Sequence, residues 1–585
     1  MSHEGSSTLG AGRWTGWLAP TFLALLALGL CLWNNGYGLP DTFGPDEPKM
    51  VNHALAFGLG DLNPHYFVYP ALQMYLLFGV YGALFVVLLL TGAVGSVQDY
   101  TLLFLTDPTI FYKAGRAVTA LFGAGSVLLV AALGPRVFGS RATGLLAALA
   151  LAVHPVAVLH GHAITADVPV TFFVLLSLVF SARLVADPTP RLHALAGAAA
   201  GLATATKYSG LIAVLPLVVA HHLGMRGVGR LLLPRRLLLA FAALVLAFCL
   251  TSPYSVIEWP RTLEGMRFIL DVKREGQFGV ARGSSWAPYL SWLFVASPLA
   301  PASLGGLVYA LWRRTRADVL TLALILPYLL TIGGSQSRSS RYLVPLVPLL
   351  LLLAARWAVE TWSAASSRLA RSAVATAAGV ALLVALGQSV ALARELGLPD
   401  TRTAARRWIE AHIPAGSTVA VEWGGDDTVR LRPDARRLEE KRRRYEKGEE
   451  TGSHNSAEQM ASALRLLEQV DDGRPGYRIV VMGDDVNNVL QARNQTLEEL
   501  RALGVEYVVT SSAALGDPES EAFGRAYPEI AAFYQRLRET STELARFEAR
   551  PGELRGPRIV VRRLPAPGQP APAEATDEGS TDAAG

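Results

Sequence analysis

The sequence predicts a polytopic α-helical membrane protein with about 11 spans plus a re-entrant or interfacial segment, followed by a C-terminal soluble α/β domain. Of its 585 residues, 51% are hydrophobic and only 17% are charged, which is too apolar for a wholly water-soluble chain. The charges are also unevenly distributed: residues 1–393 contain 26 Lys/Arg and 15 Asp/Glu, whereas residues 394–585 contain 27 and 33. The chain therefore divides near residue 393 into a lipid-solvated part and a water-solvated part.

Apolar runs that could enter the hydrocarbon core recur throughout the first part of the chain. They lie at 17–33, 71–92, 113–134, 142–160, 168–186, 192–206, 208–224, 237–252, 289–311, 318–334, 342–358 and 372–392. The first run follows Arg13 as a secretion signal would, but no small-residue cleavage site precedes Asn34. We therefore expect a cytoplasmic N-terminus at 1–16 and an uncleaved first span that opens a membrane domain at 17–393.

The basic residues of the short loops predict the orientation, because cytoplasmic loops are enriched in Lys and Arg. If 71–92 does not cross completely, the basic loops fall together on the cytoplasmic side. The opposite short loops then keep only Lys207, Arg338 and Arg341. A complete crossing at 71–92 would put most of the basic loop residues on the outer side, against this rule. We therefore predict that this segment is re-entrant or interfacial.

This topology places two long loops and the C-terminal domain on the outer face. The loops are 35–112 and 253–288, and the domain covers 394–565. Within the domain, short β-rich runs alternate with helical patterns, as in small α/β domains. The β-rich runs are Thr418–Glu422, Arg478–Met482, Glu506–Thr510 and Arg558–Leu564. The Pro/Ala/acidic tail at 566–585 has too little apolar surface to order itself, so we predict that it is disordered.

The first outer loop carries an acidic pair, Asp46 and Glu47, at the start of an amphipathic helical pattern. Capping alone would explain the pair, because carboxylates are favoured at a helix N-terminus. The loop then continues through the polar and aromatic residues 61–70 into the run at 71–92. Carboxylates at a membrane boundary cost energy unless they are paired or used, so the pair is also a candidate for function.

Several short motifs across residues 17–358 together resemble the C-type polytopic glycosyltransferases, in particular the protein O-mannosyltransferases and aminoarabinose transferases. The motifs are Asp46-Glu47, Tyr69-Pro70, Arg116, His162–Pro169, Gly201–Lys207 and Arg341–Pro345. The resemblance implies an enzyme that transfers a sugar from a polyprenyl-phosphate donor to an extracytoplasmic acceptor, which could be a protein, a lipid or a glycan. It also implies a location in the bacterial cytoplasmic membrane, with membrane lipids around the bundle and the C-terminal domain outside.

The chemistry that the resemblance implies needs one carboxylate base. The leaving phosphate has a second pKa of about 6 and departs without being protonated, unlike the alkoxide in a glycosidase reaction. In this hypothesis Asp46 accepts the proton of an acceptor hydroxyl that attacks the anomeric carbon, and the configuration inverts. Glu47 would orient the acceptor or Lys49.

The phosphate needs cations, and the sequence departs here from the aminoarabinose transferases, which have Lys-Pro-Pro where this chain has Tyr69-Pro70-Ala71. The outward-facing candidates for the phosphate are Lys207, Arg282, Arg338 and Arg341. For Lys207 and Arg341, simple snorkelling to the membrane interface is an equally good explanation. The resemblance also implies that Asp167 contacts the donor sugar, although a helix cap would explain this residue too. The other candidates for substrate binding are Arg116, Tyr69, Lys49, and His65 on the acceptor side.

We expect no cofactor, no catalytic metal and no nucleic-acid partner. Lone histidines in a helical bundle are usually structural, and the charged run Arg436–Glu450 alternates in sign like a solvated helix face. Two other classes of function remain open at this stage. One is a secondary transporter with an external domain, and the other is an inactive scaffold whose α/β domain binds envelope partners.

Overall fold

The computed structural model describes eleven ranges of the chain. They are 11–44, 46–225, 235–276, 284–294, 297–422, 428–447, 457–468, 473–482, 496–512, 520–526 and 528–565. The described residues form a helical bundle that is connected through one long helix to a smaller α/β domain. The predicted disordered tail at 566–585 and Arg282 lie outside the described residues.

The bundle consists of helices, with short 3-10 turns between some of them. The helices are α1 (Ala11–Leu32), α2 (Glu47–Ala56), α3 (Leu72–Leu90), α4 (Val97–Thr106), α5 (Thr109–Phe138), α6 (Arg141–Ala152), α7 (Pro155–Gly161), α8 (Asp167–Leu184), α9 (Pro190–Thr206), α10 (Val214–Gly224), α11 (Arg235–Thr251), α12 (Tyr254–Ile257), α13 (Trp259–Glu275), α14 (Trp286–Phe294), α15 (Ala300–Arg313), α16 (Arg316–Gly333), α17 (Val347–Ala364) and α18 (Arg368–Leu396). The 3-10 turns are Phe57–Leu59, Tyr208–Ala213 and Ser340–Leu343.

Six helices of the described residues are long and apolar enough to cross a membrane, namely α3, α5, α8, α16, α17 and α18. The bent pair α6 and α7 makes a seventh if it counts as one span. The predicted total of about 11 spans is not confirmed, because several apolar runs fold into helices shorter than a bilayer needs. The runs at 192–206 and 237–252 become the 17-residue helices α9 and α11, and the run at 289–311 is divided between α14 and α15.

The segment that was predicted to be re-entrant or interfacial is one unbroken helix, α3, of 19 residues. A re-entrant hairpin is therefore the wrong shape for it, while the interfacial alternative stays a prediction. The sharp bend occurs instead between α6 and α7, which meet at 58°. His154 caps α7 and Pro155 begins it, since proline cannot continue the hydrogen-bond ladder of α6 but suits a first helical position.

The helices of the bundle approach each other closely where glycines face a neighbouring backbone. A Cβ atom at Gly197 of α9 would overlap the carbonyl oxygen of Ala240 of α11, and one at Gly201 would overlap that of Leu244. Membrane helices gain their association energy from such close packing rather than from a hydrophobic effect between them. These two glycines therefore fix the distance between α9 and α11.

The C-terminal domain contains a five-stranded sheet in the order β2-β1-β3-β5-β4, covered by helices. The strands are β1 (Thr418–Glu422), β2 (Arg478–Met482), β3 (Tyr507–Ser511), β4 (Thr542–Phe547) and β5 (Ile559–Arg563). The helices are α19 (Thr401–His412), α20 (Ala435–Glu446), α21 (Ala457–Glu468), α22 (Leu497–Ala502), α23 (Glu521–Ala526) and α24 (Pro528–Thr540). Strands β1, β2 and β3 are parallel, and β5 and β4 extend the sheet in antiparallel pairings.

The four predicted β-rich runs coincide with β1, β2, β3 and β5 to within one residue at each end. Strand β4 was not predicted. It lies at the edge of the sheet, most of its side chains are exposed, and it carries Glu543 and Arg546. Charged residues on an edge strand protect it from pairing with other chains, but they also remove the apolar alternation by which a strand is predicted.

We predict that Gly197→Ala lowers the thermal stability of the purified protein, because the added methyl group must push α9 and α11 apart at a cost of about 1–3 kcal/mol. Gly379→Ala is the matched control, since nothing lies within 4 Å of a Cβ atom at that position of α18. Thermal unfolding in detergent measures both variants. Equal melting temperatures for the two would contradict the prediction.

Candidate functional site

The carboxylate of Asp46 does not cap the helix that it precedes. Asp46 is the N-cap residue of α2, but its side chain forms no capping hydrogen bond. It forms an ion pair with Arg341 instead, and the Lys49 amine lies 3.5 Å from its Oδ1. The Asp46 side chain is 15% exposed, so it can still be reached from solvent. Capping therefore does not explain this residue, and its charge is available for another role.

Glu47 is fully committed to a buried ion pair. Arg116 of α5 donates from Nε to Oε1 at 2.8 Å and from Nη2 to Oε2 at 2.6 Å, and both residues are 1% exposed. The backbone N–H of Ile164 also donates to Oε1, at 3.0 Å. The sequence predicts that Glu47 orients the acceptor or Lys49. The Lys49 amine lies near Asp46 instead, and the Glu47 oxygens are bound to Arg116 and to the Ile164 N–H.

Arg116 binds the loop that follows α1, in addition to Glu47. Its Nη1 donates to the carbonyl oxygens of Asn35 and Tyr37 at 2.8 and 2.9 Å, and its guanidinium lies 3.8 Å from the centre of the Tyr37 ring. The bidentate pair and the two carbonyl contacts satisfy four of the five N–H donors of a guanidinium that is almost completely buried. Arg116 therefore fixes the loop that precedes Asp46 and is not exposed to a substrate.

A second carboxylate–cation pair lies where α8 begins and α9 ends. Asp167 is the first residue of α8, and Lys207 directly follows α9. The Lys207 amine donates to Asp167 Oδ1 at 2.7 Å, and the two side chains are only 14% and 3% exposed. Simple snorkelling does not account for Lys207, since its amine is turned inward to a buried carboxylate.

Tyr342 lies close to one cation of each ion pair. Arg341 and Tyr342 belong to the 3-10 turn Ser340–Leu343, which precedes α17. The ring centre of Tyr342 lies 5.2 Å from the Lys207 amine and 5.5 Å from the Arg341 guanidinium. The ring of Tyr69, a predicted substrate contact, lies 5.7 Å from the same amine. We call the cluster of Asp46, Asp167, Lys207, Arg341 and Tyr342 the rim site, since its residues stand at helix ends.

Lys273 is the residue that sequence reasoning missed. It lies near the end of α13, which is held beside the rim site because the Gln336 N–H donates to the Lys273 carbonyl oxygen at 2.7 Å. Burial lowers the pKa of Lys273, and the charge of Lys207 lowers it further. Within the described part of the chain Lys273 has no ion-pair partner. The sequence does not distinguish Lys273 from Arg267 and Arg274, which are basic residues of the same helix.

Some predicted residues lie apart from the rim site. His65 pairs with Asp61 at 2.6 Å on an exposed part of the first loop, and this hydrogen bond lowers the pKa of Asp61. Arg338 contacts the Ser285 hydroxyl at 3.3 Å. Among the residues that the structure describes, no group of three or more His, Cys, Asp or Glu is arranged to hold a metal ion.

We predict that Glu47→Gln strongly destabilises the protein, because it leaves the buried Arg116 charge without a counter-charge at a cost of about 3–5 kcal/mol. Asp61→Asn is the control, since it removes an exposed carboxylate from the same loop. Thermal unfolding and the yield of folded protein in detergent measure the effect. The prediction fails if Glu47→Gln melts at the same temperature as Asp61→Asn.

Comparisons with known proteins find matches to part of the sequence and to the fold. Residues 111–257, about a quarter of the chain, match the family described as dolichyl-phosphate-mannose-protein mannosyltransferase. The matched segment includes Arg116, Asp167 and Lys207. No curated protein sequence matches the chain.

Several solved structures are similar to the chain at low sequence identity. The Archaeoglobus fulgidus oligosaccharyltransferase in the apo form is 12% identical with a TM-score of 0.50, over 86% of this chain and 70% of that chain. ArnT from Cupriavidus metallidurans bound to undecaprenyl phosphate is 16% identical with a TM-score of 0.49, over 94% and 98%. The mycobacterial arabinofuranosyltransferase AftD is 17% identical with a TM-score of 0.42, over 96% and 42%.

The family match gives sequence support to the segment that carries three of the predicted site residues, and the archaeal enzyme gives the fold. The resemblance to the C-type polytopic glycosyltransferases that the sequence motifs predicted is therefore confirmed.

Proposed function

We propose that this protein is a membrane glycosyltransferase that moves a sugar from a polyprenyl-phosphate donor to an acceptor outside the bacterial cytoplasmic membrane. The observation that carries the proposal is the rim site, in which the Tyr342 ring centre lies 5.5 and 5.2 Å from the cations of the pairs Asp46–Arg341 and Asp167–Lys207. The matched family is described by a sugar linked to a polyprenyl phosphate, and its segment includes the second pair. The α/β domain contacts the loop of Asp46, so both lie on the same side, which we propose is the outer side.

The cations of the rim site suit a phosphate that gains charge during the reaction. Lys207 and Arg341 are each balanced by one carboxylate, and Lys273 adds a positive charge without a carboxylate partner among the described residues. A donor phosphodiester carries one negative charge, and the phosphate monoester that leaves carries almost two near neutral pH. The cations therefore bind the transition state and the leaving group more strongly than the donor, which is the requirement for catalysis.

Asp46 is the proposed base. When the donor phosphate binds Arg341, one oxygen of Asp46 is released to face the acceptor. The acceptor hydroxyl oxygen then bonds to the anomeric carbon, its proton passes to Asp46, and the bond from that carbon to the phosphate oxygen breaks. Attack from the face opposite the phosphate inverts the configuration. In this mechanism Glu47 and Arg116 are positioning residues, since both are buried and bonded to each other.

A small apolar cavity lies inside the bundle near the rim site. It holds about 40 Å³, and its lining atoms are mostly apolar. Val168 and Val344 line it, and these residues follow Asp167 and Arg341 closely in the chain. The proposal requires such an apolar space beside the phosphate, because the donor is anchored in lipid by its polyprenyl chain.

The transporter hypothesis is less well supported by the positions of the charges. Transporter sites lie near the middle of the membrane, where helices are interrupted. Here Asp46, Asp167 and Lys207 stand at the ends of α2, α8 and α9. Charges that gather at helix ends suit a substrate that is held at the membrane boundary.

We predict that Asp46→Asn abolishes sugar transfer while the protein still inserts into membranes and still binds polyprenyl phosphate, because the amide cannot accept the proton. Transfer from a panel of radiolabelled polyprenyl-phosphate sugars measures turnover, and Asp61→Asn is the matched control. Turnover of Asp46→Asn at the wild-type rate would disprove the assignment of the base. Absence of transfer by the wild-type protein from every donor, with substrate flux across vesicles, would favour a transporter.

We predict that Lys273→Gln weakens the binding of polyprenyl phosphate about tenfold, which is the loss of one charge-assisted contact. Because the pKa of Lys273 is lowered, its amine loses its proton at a lower pH than an ordinary lysine. Wild-type affinity should therefore fall with rising pH before ordinary lysines titrate. Lys273→Arg should reduce that fall, since arginine stays charged. Identical pH profiles for wild type and Lys273→Arg would exclude Lys273 from the phosphate site.

A further inference from the structure

The α/β domain is bound directly to the loop that carries Asp46. The contact begins at Asp41, which is largely buried and lies five residues before Asp46. The Thr403 hydroxyl donates to Asp41 Oδ2 at 2.7 Å, and Arg406 Nε forms an ion pair with Asp41 Oδ1 at 3.0 Å. Thr403 and Arg406 both belong to α19, the first helix of the domain.

Two further arginines of the domain contact aromatic rings of the same loop. The guanidinium of Arg402 lies 3.8 Å from the centre of the Phe43 ring. Asp400 holds Arg402 in place through hydrogen bonds from Nε and Nη2, both at 2.8 Å. The guanidinium of Arg555 lies 5.3 Å from the centre of the Tyr37 ring. These distances are those of cation–π contacts, which strengthen when the cation is desolvated.

The loop is therefore held by the bundle and by the domain at once. Arg116 of α5 contacts the same Tyr37 ring that Arg555 contacts. Asp46 is only three residues beyond Phe43, and three residues span at most about 11 Å. If the domain moves and carries Phe43 with it, the positions that Asp46 can reach change as well, because the chain between them is short.

We infer that the α/β domain is a positioning element for Asp46, acting through Asp41 and Phe43. The inference rests on the proposed function, since it assigns the placement of the proposed base to a second domain. The contacts are not needed to keep the domain attached, because α18 leads directly into it. The Asn34 amide also donates to the Ala393 carbonyl oxygen of α18 at 2.7 Å. Asp41 and Phe43 are positioning residues, since their contacts are with the domain.

The test uses the full-length protein and the variants Asp41→Asn and Arg406→Gln. We expect kcat to fall on the order of tenfold in each variant with the donor KM changed less than twofold, because a misplaced base slows the chemical step. Backbone amides 47–56 of α2 should exchange with deuterium faster than in wild type. The double variant should be no slower than the slower single variant, since the two residues act through one contact.

Two controls separate positioning from a general effect on the domain. Arg407→Gln removes the neighbouring exposed charge on α19 and should leave kcat and exchange unchanged. Glu410→Gln removes the other carboxylate partner of Arg406, which belongs to the same helix, and should also leave the exchange of α2 unchanged. If Arg406→Gln does not fold, Phe43→Leu replaces it, because leucine keeps an apolar side chain but loses the ring.

The inference is overturned if Asp41→Asn leaves both kcat and the exchange of residues 47–56 as in wild type. It is also overturned if the effects of Asp41→Asn and Arg406→Gln simply add. Failure of the proposed function is a different result, in which the wild-type protein transfers no sugar from any polyprenyl-phosphate donor. The exchange measurement still decides in that case whether the domain positions the loop.

Discussion

Burying two opposite charges in a membrane protein is costly unless each is completely satisfied, and Glu47 and Arg116 meet that condition. The carboxylate receives two guanidinium bonds and one backbone N–H, and the guanidinium also donates to two loop carbonyls. This pair joins the loop that follows α1 to α5 and to the chain just before α8. The rim site depends on it, because Asp46 precedes Glu47 and Asp167 begins α8.

The rim site contains charged side chains that are held in ion pairs and are largely shielded from water. Asp167 and Lys207 neutralise each other in a setting that water scarcely reaches, and Asp46 and Arg341 do so nearer the surface. A phosphate that enters such a site exchanges one ion pair for another instead of drawing cations out of water. The cost of desolvating these cations is thus met when the protein folds, as electrostatic preorganisation requires.

The sequence alone predicted the parts of this molecule that depend on local pattern. Apolar length located most helices of the bundle, and β-rich runs located β1, β2, β3 and β5, whereas the charged edge strand β4 carried no such signal. Asp46 could be singled out because the sequence pattern predicts a membrane boundary near it. Its partner could not be predicted, because Arg341 is distant in the chain and the sequence does not distinguish it from Arg338, a second basic residue three positions earlier. Lys273 was missed for the same reason, since only tertiary packing distinguishes it from its basic neighbours.

The partners of the loop that follows α1 are distributed along the whole chain, and this sets an order for its assembly during synthesis. Arg116 becomes available 69 residues after Glu47, but Arg341 follows Asp46 by nearly three hundred residues, and Arg406 follows later still. In a growing chain the Glu47–Arg116 ion pair can therefore form early, while Asp46 remains without Arg341 until most of the bundle has been inserted. The loop reaches its final contacts only when Arg555 has emerged from the ribosome, so the finished site is a late product of biogenesis.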